Sequence, residues 1–121
     1  MPKVLLIEDD PVSLKAVELK LKKDGFEVLC ATDGRDGMEK LKTQLPDIVI
    51  TDLNLPYIPG LEIVAAAKAI TARRIRVVVL SGIGQEQVVE EAFKLGADDY
   101  ITKPFSLNEL ALRIKQQLKG R

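Results

Sequence analysis

Residues 47–56, Asp-Ile-Val-Ile-Thr-Asp-Leu-Asn-Leu-Pro, restrict the chain more than any other stretch. A continuous apolar run bounded by turn-forming residues reads as a strand buried on both faces. Such a strand belongs inside a parallel sheet with helices above and below it. The run ends on a carboxylate, Asp52, and Pro56 follows shortly after. A charge at the carboxyl end of a buried strand is costly unless something pairs with it. That end of an open parallel sheet is also where ligands bind. Asp52 is therefore a candidate reacting group, with a plain strand-ending, turn-starting aspartate as the alternative.

The rest of the chain supplies the partners such a strand needs. Residues 3–7 carry Val-Leu-Leu-Ile and close on Glu8-Asp9-Asp10. Asp10 reads as an N-cap, with Pro11 at the first position of a helix. Leu14, Val17 and Leu21 share one face of that helix, and Asp24-Gly25 ends it. Residues 26–30 alternate less cleanly and include Glu27, which suits an edge strand. Asp33-Gly34 starts a second helix with Met38, Leu41 and Leu45 on one side, and Pro46 stops it. After the central strand, residues 56–60 form a loop, and a third helix at about 61–70 is apolar nearly all round. Residues 75–80 give another buried strand, closed by Ser81-Gly82. A fourth helix at 85–95 places Val88, Val89, Ala92 and Phe93 on its apolar side, and Gly96 caps it. Residues 100–102 form a short strand running into Lys103-Pro104. Leu107, Leu110, Ala111, Ile114 and Leu118 mark a final helix.

Strands alternating with helices specify a parallel sheet covered on both faces. Right-handed crossovers and the edge character of residues 26–30 select the strand order 2-1-3-4-5. The expected fold is α/β, a doubly wound, flavodoxin-like sheet of five strands with five helices. No linker, repeat or low-complexity run interrupts residues 1–121, which read as one domain.

This topology would bring Glu8, Asp9, Asp52, Ser81 and Lys103 to one rim. Clustered carboxylates raise one another's pKa unless a cation neutralises them. The chain has no histidine and one cysteine, which removes imidazole chemistry and the usual soft metal sites. Hard oxygen ligands alone point to Mg²⁺. A hydroxyl and a lysine opposite such an ion suit the oxygens of a phosphoryl group. No glycine-rich phosphate loop is present, so the phosphate is not held as bound nucleotide. Asp52 is then the nucleophile, since an aspartate can form an acyl phosphate. Lys plus Arg and Asp plus Glu number 18 each, a balance that argues against a dedicated nucleic-acid or membrane-surface binder. Cys30 reads as a small buried hydrophobe in a reducing, cytoplasmic setting. No membrane-spanning run is visible.

Taken together, several segments resemble the response regulator receiver domain of two-component signalling. They are Leu-Ile-Glu-Asp-Asp-Pro, Asp-Ile-Val-Ile-Thr-Asp with Pro56 and Gly60, Val-Leu-Ser-Gly, and Gly-Ala-Asp-Asp-Tyr-Ile-Thr-Lys-Pro-Phe. The resemblance covers essentially the whole chain. It implies Asp52 as phosphoacceptor, with Ser81 and Lys103 contacting the phosphoryl group. It implies Mg²⁺ held by Asp9, Asp52 and the backbone carbonyl of Asn54, with Glu8 behind them or acting through a water. Ser81 and Tyr100 would be the switch pair, and the Lys103-Pro104 bond would be cis. Asp10 reads as a cap, and Asp98 and Asp99 as solvated turn residues. Pro59 departs from the polar residue the family often has there.

The resemblance further implies a partner histidine kinase or phosphotransfer protein. Its phosphohistidine would pass a phosphoryl group to Asp52, and slow autodephosphorylation would follow. The resemblance thus implies a phosphoacceptor switch and not a turnover enzyme. Phosphorylation would repack the face of the fourth helix, fifth strand and fifth helix, a face that allows a homodimer. The segment at 96–105 and Arg113-Ile114-Lys115 resemble receivers attached to winged-helix transcription factors, the fourth helix less so. Any output, DNA binding included, would lie outside this sequence. Two other functions compete. An Mg²⁺-dependent phosphohydrolase would generally want a second carboxylate where Asn54 stands. A flavodoxin-like binding module would want a phosphate cradle where Glu8-Asp9-Asp10 would repel an anion.

Overall fold

The computed structural model describes residues 1–119. Five strands alternate with five helices: β1 (Lys3–Ile7), α1 (Pro11–Lys23), β2 (Glu27–Ala31), α2 (Gly34–Gln44), β3 (Ile48–Asp52), α3 (Gly60–Ala69), β4 (Arg76–Ser81), α4 (Glu86–Lys94), β5 (Asp99–Thr102) and α5 (Leu107–Leu118). The strands form one sheet in the order β2-β1-β3-β4-β5, and all four pairings are parallel. Fold class and strand order agree with the expectation.

The apolar strand runs are sorted by the two-residue period of the β-strand. Val4 and Leu6 of β1, with Ile48 and Ile50 of β3, pack under α1 and α5, against Val17, Leu21, Leu110, Ala111 and Ile114. Leu5, Ile7 and Val49 face the other way, against Leu41 of α2, Ile63 and Val64 of α3, and Ala92 of α4. Two helices therefore cover one face and three the other. Every residue of β3 is buried.

Local chemistry sets the element ends. Asp10, Asp33 and Ser106 cap α1, α2 and α5, each accepting a backbone N–H from the first turn. Gly25 adopts φ 96° beyond α1, a conformation that favours glycine. Phe26 falls outside β2 because its N–H closes the end of α1 on the Leu21 carbonyl. Its buried ring belongs to the α1 and α5 side of the core. Asp98 and Asp99 are not the solvated turn residues expected. Asp98 accepts the Val77 N–H at 2.8 Å and the Lys68 ammonium at 2.7 Å. Asp99 is the first residue of β5 and pairs with Arg113 at 3.0 Å. Both aspartates face cations that arrive from helices distant in sequence. Phe93 lies on the apolar side of α4 but remains 41% exposed, lining a groove. No described helix is long and apolar enough to cross a membrane.

Candidate functional site

The strands end at one rim, and backbone hydrogen bonds carry the sheet slightly past each end. Glu8 N–H donates to the Ala31 carbonyl at 3.0 Å, Leu53 N–H to Leu80 at 3.3 Å, and Lys103 N–H to Ser81 at 2.7 Å. The acidic triplet after β1 thereby divides. Glu8 is fully buried and Asp9 is exposed at the rim, while Asp10 turns away to accept the Val12 N–H at 3.1 Å. Gly60 fits β3 to α3: a Cβ there would fall on the Asp52 carbonyl oxygen. Only glycine lets α3 start this close to the strand that presents Asp52.

Asp52 is 6% exposed. The Lys103 ammonium lies 2.8 Å from Asp52 Oδ1 and 2.7 Å from Glu8 Oε1, bridging the two carboxylates. The Asp10 N–H adds a hydrogen bond to Glu8 Oε2 at 3.2 Å. Asp52 Oδ2 is buried and has no hydrogen-bond partner. A cavity of about 250 Å³ opens here, lined by Asp9, Asp52, Asn54, Gly82, Gln85 and Lys103.

The charges are unbalanced. Burial, then the hydrogen bond with Glu8, pushes the Asp52 carboxyl up to about 8. Burial works to raise Glu8 as well. Its hydrogen bonds to Asp52, Lys103 and the Asp10 N–H outweigh that and draw it down to about 2. Burial tends to lower Lys103, but the bonds to Asp52 and Glu8 raise it overall. Asp52 is thus the carboxyl of the pair that holds a proton more readily, beside one ammonium, and Asp9 adds a third carboxylate.

One oxygen from each of Glu8, Asp9 and Asp52 lies within 4.8 Å of the others. This all-oxygen set includes Asp52, whose Oδ2 has no hydrogen-bond partner among the described residues, and fits a hard divalent cation. Of the five residues expected at one rim, Glu8, Asp9, Asp52 and Lys103 gather here, with Asn54 lining the same cavity, whereas Ser81 lines the neighbouring groove.

Ser81 and Tyr100 belong to a neighbouring space. Ser81, at 3% exposure, lines a groove of about 450 Å³ between α4 and β5, together with Val89, Phe93, Tyr100 and Thr102. Tyr100 is 41% exposed, and its ring meets Phe93 edge-on, centroids 5.8 Å apart at 88°. The Lys103-Pro104 bond is cis. Sequence reasoning assigned no site role to Gln85 or Gly82, which line both spaces. A usable signal existed: glutamine is a poor residue for a helix N-cap, so its presence before α4 asks for another reason.

The sequence pattern of the response regulator receiver domain matches residues 4–115. The transcriptional regulatory protein PrrA of Mycobacterium tuberculosis is 36% identical over 120 residues, 99% of this chain and 51% of the relative. The chain thus spans about half the length of the curated relatives it matches. The receiver domain of the Francisella response regulator 1452 superposes with a TM-score of 0.88 at 29% identity, covering 98% of each chain. The Thermotoga maritima response regulator DrrB, an OmpR/PhoB homologue, gives 0.88 at 32% identity, over 98% of this chain and 53% of that one. A fold, an acidic rim and a sequence pattern that coincide along nearly the whole chain have one explanation: the chain belongs to the response regulator receiver domain family of two-component signalling.

Proposed function

We propose that the chain is a phosphorylation switch in which Asp52 accepts a phosphoryl group from the phosphohistidine of a partner kinase or phosphotransfer protein. The observation that carries this reading is Asp52 itself: one oxygen held by Lys103, the other buried, unpartnered and beside an open cavity. Asp52 Oδ2 attacks phosphorus, the P–N bond breaks with its electron pair going to the imidazole, and an acyl phosphate forms. The residues to hold Mg²⁺ are Asp9, Asp52 and the Asn54 carbonyl, with Glu8 through a water or from behind. When bound, the ion would offset the charge of the phosphoryl and carboxylate oxygens. Lys103 stays beside the attacking carboxylate and turns toward the new phosphoryl oxygens. In this reading residues 1–121 act as one receiver unit in the cytoplasm.

A second cavity suits the donor protein. It measures about 570 Å³ and shares the Lys103 wall, running between Ser13 and Val17 of α1 and Ile83, Pro104 and Phe105. Ile83 is 90% exposed there, an apolar contact for a partner helix. Once phosphorylated, Ser81 moves to the phosphoryl oxygens and Tyr100 turns into the groove beside it. That repacks the face of α4, β5 and α5 and presents it to a downstream partner or a second copy. Hydrolysis by water resets the switch, with Asn54 and Ile83 setting access. Neither a carboxylate at Asn54 for a phosphohydrolase nor a phosphate cradle for a binding module is available.

Incubation with acetyl phosphate and Mg²⁺, read by intact mass, tests the reading. One phosphoryl adduct per chain, absent in Asp52→Asn, is expected. Multiple turnover without an adduct would overturn it.

A further inference from the structure

Gln85 stands at the N-cap of α4, yet its side chain makes no capping hydrogen bond. Short side chains are favoured there because they reach the first-turn N–H groups. The Gln85 carboxamide instead turns back toward the strand. Its Oε1 accepts the Gly82 N–H at 2.5 Å. Apart from this oxygen, at 3.4 Å, nothing lies within 4 Å of a Cβ built on Gly82, leaving that side of the glycine open. Gly82 and Gln85 line the acidic cavity with Asp52 and Lys103. They also line the groove of Ser81, Phe93 and Tyr100, and among the described residues no other lines both. One hydrogen bond therefore joins the two residues that the reacting centre and the groove share.

We propose that Gln85 is a displaceable latch: its carboxamide oxygen occupies the Gly82 N–H in the resting chain and gives it up to an anionic phosphoryl oxygen on Asp52. The proposal rests on the phosphoacceptor reading above. An ionised oxygen is a stronger acceptor than a neutral amide, so the exchange favours the phosphoryl group. The site holds three carboxylates and one ammonium, and a free N–H is a donor that a phosphoryl group there needs. Once displaced, the carboxamide moves away from the cavity wall, so occupation of Asp52 changes the lining of the groove where Tyr100 stands. Gln85 is a positioning residue in this scheme. It touches no reacting atom, and it sets how readily the Gly82 N–H is available. Displacing one ordinary intramolecular hydrogen bond weakens capture roughly fivefold.

The test uses beryllofluoride, the phosphoryl mimic with which a DrrB receiver domain was activated. Its affinity in Mg²⁺ is measured on the wild-type chain, Gln85→Ala and Gln85→Met, the last keeping the bulk and lacking the amide. Both variants lose that hydrogen bond but no capping bond, so they should stay folded and melt roughly 4 °C below the wild type. Both should bind beryllofluoride roughly fivefold tighter. In nuclear magnetic resonance spectra the Gly82 amide proton should differ between wild type and variants in the free chains and coincide in the complexes. A purely structural role for Gln85 also separates the free-chain signals, but it predicts neither the tighter binding nor the coincidence in the complexes. Unchanged or weaker binding in both variants, with wild-type binding intact, overturns the latch alone. A wild-type chain that takes no beryllofluoride overturns the phosphoacceptor reading and the latch with it.

Discussion

The two ends of the sheet use the same chemistry to opposite effect. At the amino end, Asp98 accepts the Val77 N–H and the Lys68 ammonium, and Arg76 stands 3.9 Å away. Asp47 accepts the Lys3 N–H at 2.7 Å through one oxygen and pairs with Arg73 at 2.8 Å through the other. Each carboxylate there meets several donors and ties strands to loops. At the carboxyl end, Glu8 and Asp52 share one ammonium with the Asp9 carboxylate close by, and Asp52 keeps a buried oxygen with no partner among the described residues. Saturated carboxylates hold a fold together. An unsaturated cluster in a cavity is strained by its own charge, which marks it as a functional-site candidate and suits the cation and phosphoryl group of the proposed function.

The comparison breaks most sharply at Asp52. Asp52→Asn should abolish phosphoryl uptake, measured by intact mass, and leave the chain folded, because asparagine keeps the shape of the side chain at a site where burial already disfavours the charged carboxylate. The pH dependence of stability in metal-free buffer should separate the ends next. The folded pKa of Asp52 lies above the ordinary 3.8, at about 8, so the folded state holds a proton that the unfolded chain has lost. Its stability contribution is therefore present below 3.8 and lost as pH rises through about 8. Glu8, drawn from 4.5 to about 2, runs the other way: its contribution is present above 4.5 and lost as pH falls through about 2. Urea unfolding in a chelator should show the decline toward pH 8 in the wild type and not in Asp52→Asn. A parallel decline in both would assign it elsewhere.

The amino end should respond in stability alone. Asp98→Ala strands the buried Val77 N–H and leaves the Lys68 ammonium with the Ile75 carbonyl and no carboxylate, and should cost about 2 kcal/mol by denaturant unfolding. Phosphoryl uptake by the folded fraction should be unchanged. Lost uptake at wild-type stability would merge the two ends into one functional network. The smallest effect belongs to Arg73→Ala. Its side chain is 42% exposed, and such pairs contribute about 0.5 kcal/mol, fading with added salt.

Much of this was legible in the order of residues. The apolar runs ending at Ile7, Asp52 and Ser81, with helix caps between them, dictate a parallel sheet and put Glu8, Asp9, Asp52 and Lys103 on one rim. Asp98 was misread because its partners Lys68 and Arg76 precede it by a helix or a strand, and no local pattern links them. Tyr100 and Phe93 sit in apolar patterns and yet are half open, since a groove between α4 and β5 remains unfilled. Gln85 carried only the faint sign of an unsuitable cap.

Periodicity and turn chemistry are properties of neighbours in the chain, so the sequence alone determined the elements, their order and the rim where polar residues gather. Whether a carboxylate there is paired, shared or left with an empty oxygen depends on groups that meet only after the chain has closed on itself. Lys103 reaching Glu8 and Asp52, and Gln85 reaching back to Gly82, are decisions of tertiary packing, because hydrogen bonds act over a few ångströms of space whatever the distance along the chain.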